Sequence, residues 1–310
     1  MNKKDFRTLD EQLAILRAKG LIINNEEYAK DVLLMENYFF LNGYRYIFFK
    51  SSKEKKFIKG TTFEELYQMF LFDRSLRNIL FKNLLIVENN IKSIISYQLS
   101  KKYGYKEKDY LNPSNFTTDN KEQRRVNDVL NKMRRQIRVN GSKHTATLHY
   151  INNYGYVPLW ILVKVLSFGL INELYGILKP EDQLALSEYY NIDVENLEVY
   201  LALLSNYRNL CAHEDIVYDH RSQREINDTV YHERLNLKKE DGIFVQGKND
   251  IFALIIILKQ VLKPDKFNEM LNEINAEFIK FDEKVNIISL DKLYNKMGFP
   301  KNYMELISIN

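Results

Sequence analysis

Residues 205–220 read SNYRNLCAHEDIVYDH. They hold the only cysteine of the chain, two of its five histidines and an arginine five residues ahead of the first of these. Arg208 and His213 are a pair suited to cleaving a phosphodiester without a metal. An imidazole takes or gives a proton near neutral pH. A guanidinium grips phosphate oxygens in bidentate fashion and stabilises charge on a pentavalent phosphorus. In RNA the nucleophile is the substrate's own 2′-hydroxyl, so the protein need supply none. The spacing sets a constraint, because five residues on a straight α-helix turn the second side chain about 140° from the first. Either the helix distorts after Arg208, or each side chain serves a site that another element completes. Two copies of the motif facing each other across a dimer axis would do this.

Blander readings compete at the same residues. An arginine near a helix end with a histidine in the next turn also arises by chance. Cys211, between apolar neighbours, reads as a small packed residue rather than a nucleophile. His213, His220, Asp215 and Asp219 can be drawn as metal ligands. No paired histidines stand at helical spacing, however, and a solvated acidic loop accounts for the carboxylates. No metal or cofactor is expected.

The elements that must position these residues read as helices. Eleven Gly and five Pro in 310 residues are few turn signals, and the chain is expected to be all-α. Residues 5–19 and 25–41 carry helical periodicity. Thr62 with Glu65 forms a capping box before about 40 residues free of Gly and Pro, ended by Gly104. This predicts one long helix, or two with a kink near residue 73. Residues 156–178 predict one apolar helix, followed by helices over 181–190 and 194–210. A small hairpin is expected over 241–247, then helices over 250–263 and 265–281 and a short helical tail after 289. The expected divisions are an N-terminal helical region (1–59), a helical bundle carrying the motif (60–263) and a C-terminal helical extension (264–310).

Charge is informative in its distribution. The net charge is +4, yet residues 121–143 hold eight Lys or Arg against two acids. Residues 120–139 form a basic amphipathic helix. Arg124, Arg125, Lys132, Arg134, Arg135 and Arg138 either contact an RNA backbone or make a solvated face. The N-terminal MNKKDFRTLDEQL lacks the apolar stretch of a signal peptide, and the longest apolar run, IFALIIIL at 251–258, is too short to span a membrane. With a single cysteine, a reducing, cytoplasmic location is expected and no membrane contact.

Three blocks in order carry a resemblance: LDEQLAILRAKGLIINNEEYAKDVLLMENYFFLNGYRYIF (9–48), FEELYQMFLFDRSLRNILFKNLLIVENNIKSIISYQLSKKYG (63–104), and VPLWILVKVLSFGLINELYGIL with YRNLCAHEDIVYDHR within 157–221. The sequence resembles the Abi family of bacterial abortive-infection proteins (the AbiD and AbiF type), and R-N-x-C-A-H looks like the R-x4-6-H motif of the HEPN superfamily. The resemblance implies a HEPN-like helical bundle with additional N- and C-terminal helices, a homodimer and metal-independent endoribonuclease activity. It also implies a role in phage defence or a toxin-antitoxin-like system, with control by a small RNA in some relatives. Carried over, Arg208 is expected to stabilise phosphate, His213 to transfer protons and Asn209 to position them. RNA is the expected partner and DNA is not. Lys164 departs from the pattern, which often has an acid there. Two other readings are a non-catalytic module that senses or sequesters RNA, and an inert partner of a nucleotide-modifying transferase. The chain itself has neither the acidic triad nor the Gly-Ser nucleotide motif of such a transferase.

Overall fold

Thr62 begins the helix that organises the molecule. Its hydroxyl accepts from the Glu65 backbone N–H while the Glu65 carboxylate accepts from the Thr62 N–H, satisfying two orphan donors at once. From Phe63 to Tyr103 the helix runs 41 residues without a break, about 60 Å at 1.5 Å per residue. There is no kink at residue 73. Leu76, Leu80, Leu84, Val87, Ile91, Ile95 and Leu99 recur every three or four positions and are all buried, so one stripe faces the core for most of its length.

The computed structural model describes residues 5–51 and 53–309. Among them are fifteen α-helices: α1 (Leu9–Ala18), α2 (Glu26–Glu36), α3 (Tyr38–Gly43), α4 (Phe63–Tyr103), α5 (Glu107–Tyr110), α6 (Gln123–Asn140), α7 (Thr145–Tyr154), α8 (Leu159–Val165), α9 (Phe168–Gly176), α10 (Pro180–Tyr190), α11 (Val194–Ala212), α12 (Val230–Arg234), α13 (Ile251–Val261), α14 (Pro264–Lys284) and α15 (Leu290–Met297). The fold is all-α apart from one hairpin, β1 (Lys239–Glu240) and β2 (Ile243–Phe244), paired antiparallel with Lys239 opposite Phe244.

α8, α11 and α14 pack along α4, and α9 packs on α11. Phe72 of α4 meets Phe278 and Phe281 of α14 at ring distances of 5.4 and 5.3 Å. The Glu65 carboxylate also accepts from the backbone N–H groups of Asn286 and Ile287, which fastens the start of α4 to the chain after α14. α13 is buried on every side, as expected for a helix apolar all round. Its N-cap is Asp250, whose carboxylate sits so close to Gly298 (φ +80°) that a Cβ there would lie 2.1 Å from it. Among the described residues, no helix is long and apolar enough to cross a membrane.

Three stretches depart from the sequence reading. The periodic segment 25–41 is broken at Asn37, whose positive φ (+64°) ends α2 and whose side chain accepts from the Phe39 N–H to start α3. The apolar segment 156–178 is not one helix. It breaks at Leu166–Ser167, because the Ser167 hydroxyl accepts from the Leu170 N–H and starts α9 in a new direction. α7, from Thr145, was not anticipated. Its N-cap is His144, whose Nδ1 accepts from the Thr147 N–H, and its end is the left-handed Gly155 (φ +72°).

Candidate functional site

Arg208 lies on α11 and reaches across to α4. Its Nε donates to Glu88 Oε2 at 2.9 Å, and Lys92 Nζ donates to Glu88 Oε1 at 2.6 Å. Glu88 and Lys92 are buried, whereas the Arg208 side chain is 27% exposed. One buried carboxylate thus lies between two cations, and the cluster keeps a net positive charge. Arg208 spends Nε on this anchor. Nη1 makes one long contact of 3.4 Å to Asn209 Oδ1, so the outer edge of the guanidinium keeps N–H groups for an incoming anion.

The sequence reading missed Glu88 and Lys92. Their signal is visible in hindsight: Leu76, Leu80, Leu84, Glu88 and Lys92 form a single i, i+4 ladder in which two charges occupy apolar positions.

α11 does not distort after Arg208. It continues to Ala212 and closes on His213 with a tight stop. Glu214 takes a left-handed backbone (φ +58°), its N–H reaches Cys211 O at 3.4 Å, and the Asp215 N–H reaches Leu210 O at 3.0 Å. That is a Schellman termination built without glycine. His213 is exposed at this end, and among the described residues no side chain hydrogen-bonds to it. Arg208 and Asn209 are therefore brought together, while His213 stands about 7.5 Å further along the axis and on another face than Arg208. Asn206, Asn209 and His213 share one exposed face at i, i+3 and i+7 spacing. His220 folds back over that face: its Nε2 bonds Asn206 Oδ1 at 2.8 Å and its ring meets the edge of Tyr207. Burial and the neighbouring Arg221 hold His220 below the usual histidine range. Cys211 is buried, and burial pushes its thiol up to about 12, which fits a packed residue and not a nucleophile. Among the described residues, no three His, Cys, Asp or Glu side chains gather as a metal site would need.

A second network fixes the loop after His213. Asp73 is fully buried on α4 and accepts from Tyr44 Oη (2.7 Å), Tyr218 N (2.8 Å), Val217 N (3.3 Å) and the Arg77 guanidinium. Arg77 also donates to Tyr44 Oη at 2.9 Å and to Asp215 O at 3.4 Å. Burial raises the Asp73 carboxyl, and Arg77, Tyr44 and the two backbone donors oppose that. Tyr44 stacks on Tyr218, and Ile216 fills the space beside Gly43, where a Cβ would lie 2.5 Å from its Cδ1.

The basic helix is α6, held by buried Val126, Val129, Leu130 and Met133. Its cations divide. Arg125 pairs with Glu122 (3.2 Å) and Lys132 with Glu173 (2.6 Å), while Arg134 donates to Leu111 O (3.2 Å). Arg124, Arg135 and Arg138 are exposed, with no carboxylate within 4 Å among the described residues. α6 packs on α8 and α9, whereas Arg208 faces α4. Lys164 is exposed on α8.

A family model described as Abi-like protein matches residues 31–219, more than half of the chain. The chain belongs to the Abi-like protein family. No curated protein and no solved structure matches it. The Abi-like match runs from α2 to just past His213, so it takes in Arg208, the anchoring Glu88–Lys92 pair and the clamped loop. The hairpin, α13, α14 and α15 lie outside it.

Proposed function

We propose that this Abi-like protein is a metal-independent endoribonuclease of abortive infection, a phage-defence or toxin-antitoxin-like system, with a HEPN-type Arg/His site completed across a homodimer. The observation that carries this reading is the state of Arg208: anchored through Nε on a buried carboxylate, with its outer N–H groups free, five residues from an exposed histidine at a rigidly terminated helix end.

In the proposed reaction the 2′-hydroxyl attacks the adjacent phosphorus and gives its proton to a neutral His213 imidazole. The P–O5′ bond breaks, the leaving 5′-oxygen takes a proton from water and the His213 imidazolium returns its own to solvent, which yields a 2′,3′-cyclic phosphate and a 5′-hydroxyl. Arg208 donates to the phosphate oxygens as negative charge grows on them, and Asn209 holds the guanidinium from the side. Because Arg208 and His213 point about 140° apart on the straight α11, one phosphate meets both only when a second protomer supplies one of them. RNA is the partner in this reading, as substrate and as a regulatory small RNA, and α6 contributes Arg124, Arg125, Lys132, Arg134, Arg135 and Arg138 as its backbone-contacting face.

RNA cleavage in excess EDTA tests this, with wild type compared against Arg208→Ala and His213→Ala. Cleavage by wild type alone, with cyclic-phosphate ends, is the expected result. RNA binding with no cleavage by any of the three would instead favour a non-catalytic RNA-binding module, a reading that the unpaired Arg124, Arg135 and Arg138 also suit.

A further inference from the structure

Far from Arg208, at the Tyr103 end of α4, six aromatic rings form a continuous strip. Trp160 lies 5.6 Å from Tyr105, Tyr105 lies 5.7 Å from Tyr156, and Tyr156 lies 6.3 Å from Tyr154. Tyr150 follows at 5.2 Å, and His149 sets its edge against both Tyr150 and Tyr154. Local backbone builds the strip. Gly104 (φ +97°) turns the chain after α4 to place Tyr105, and the left-handed Gly155 turns it between Tyr154 and Tyr156. The rings are not core: Tyr154 is 57% exposed, Trp160 42% and Tyr105 41%.

The surroundings are cationic. Lys106 Nζ stands 5.0 Å from the centre of the Tyr156 ring. Next along the chain, Glu107 and Lys108 help to line a cavity of about 550 Å³, with Arg134, Arg138, Leu111 and Ile137 among its other walls. The one carboxylate in that lining, Glu107, is turned inward onto the Val157 N–H. Exposed π faces beside unpaired cations complement a polyanion that carries its own flat rings. Base–aromatic stacking next to a positive groove is how proteins hold unpaired strands without reading their sequence. A base-paired helix keeps its bases stacked inside and would offer the rings nothing but its end.

We infer that the Trp160–Tyr105–Tyr156–Tyr154 strip is a single-stranded RNA platform, on which unpaired bases stack while Lys106, Lys108 and Arg138 take the phosphates. The inference rests on the reading that RNA is the ligand of this chain, and it locates where the strand is held as distinct from where it is cut.

Trp160 is the only tryptophan in the chain, so its emission reports on this surface alone. The probe is an unpaired oligoadenylate, titrated into the His213→Ala chain so that the strand stays whole, beside the same strand annealed to its complement. The single strand is expected to quench Trp160 and the duplex to leave it nearly unchanged. Tyr105→Ala and Tyr154→Ala, each verified as folded by circular dichroism, should weaken strand affinity roughly tenfold, the size of one lost stack. An emission that ignores the strand, an equal response to duplex, or unchanged affinity in both variants overturns the inference. Arg208-dependent cleavage with a silent Trp160 defeats the platform alone. Stacking without cleavage defeats the nuclease reading alone.

Discussion

α4 carries two arginine–carboxylate networks of similar composition, about 22 Å apart along one rod. Asp73 with Arg77 and Glu88 with Lys92 are both i, i+4 acid–base pairs, and both are buried. They differ in what remains unspent. Around Asp73 every oxygen is committed, to a tyrosine, two backbone N–H groups and a fully enclosed guanidinium. Around Glu88 the second cation comes from another helix, and its outer face reaches solvent. A closed network fixes a loop, whereas an open one holds a charge ready. The same chemistry either closes on itself or leaves a cation accessible, according to whether donors are left over.

The largest effect should come from emptying the closed network. Asp73→Ala strands Arg77 in the interior and is expected to cost about 3–5 kcal/mol of stability, read from urea unfolding. An unfolding midpoint like that of wild type would break the comparison. Next in size, Arg208→Ala should lower RNA cleavage by roughly 10²–10³-fold, the magnitude seen when one charge-stabilising donor is removed, with a loss of stability near 1 kcal/mol because Glu88 keeps Lys92. A fall in stability to match that of Asp73→Ala would mean that Arg208 is structural after all. Glu88→Gln sharpens the contrast. The amide still accepts from Nε but no longer neutralises the cations, so cleavage should drop about tenfold or less while RNA affinity holds steady. Loss of affinity without loss of turnover would count against the anchoring role.

The smallest effect concerns a second closed group. His232 is fully buried between Thr229 and Gly247, and burial lowers its pKa from the ordinary 6.5. The neutral ring fits this site, since Nδ1 accepts from the Thr229 N–H while Nε2–H donates to Gly247 O. A depressed folded pKa means that the stabilisation is present above 6.5 and is lost as pH falls below it. The unfolding free energy should therefore decline below that pH, with His232 contributing a slope of at most about 1.4 kcal/mol per pH unit, and His232→Gln should flatten the decline seen in urea unfolding. An unchanged slope in the variant would assign the acid sensitivity elsewhere.

Much of the fold is legible in the sequence. The capping box at Thr62, the absence of Gly and Pro through α4, and the helical spacing of apolar residues at α1, α2, α6 and α14 all point to helices on local grounds. Local signals failed where one hydroxyl outweighed periodicity, at Ser167, and where a helix had no apolar stripe to show, at α7. The motif itself could be read, but its support could not. Glu88 sits 120 residues from Arg208, and only folding brings α4 and α11 together. Asp73 is further still from the loop that it clamps, 144 residues from Val217 and 145 from Tyr218. The aromatic strip was hidden for the same reason, since Tyr105 and Trp160 are 55 positions apart in the chain.

α4 has no glycine or proline between Phe63 and Tyr103, and nothing along it gives a hinge. Glu88, which seats Arg208, and Tyr103, next to the strip, are separated by four turns of unbroken helix, about 22 Å. The rod is in effect a gauge. On the proposed readings, a strand held at one end and cut at the other would leave an overhang set by helix pitch and not by its own sequence. Four residues inserted after Leu99 would lengthen that gauge by about 6 Å.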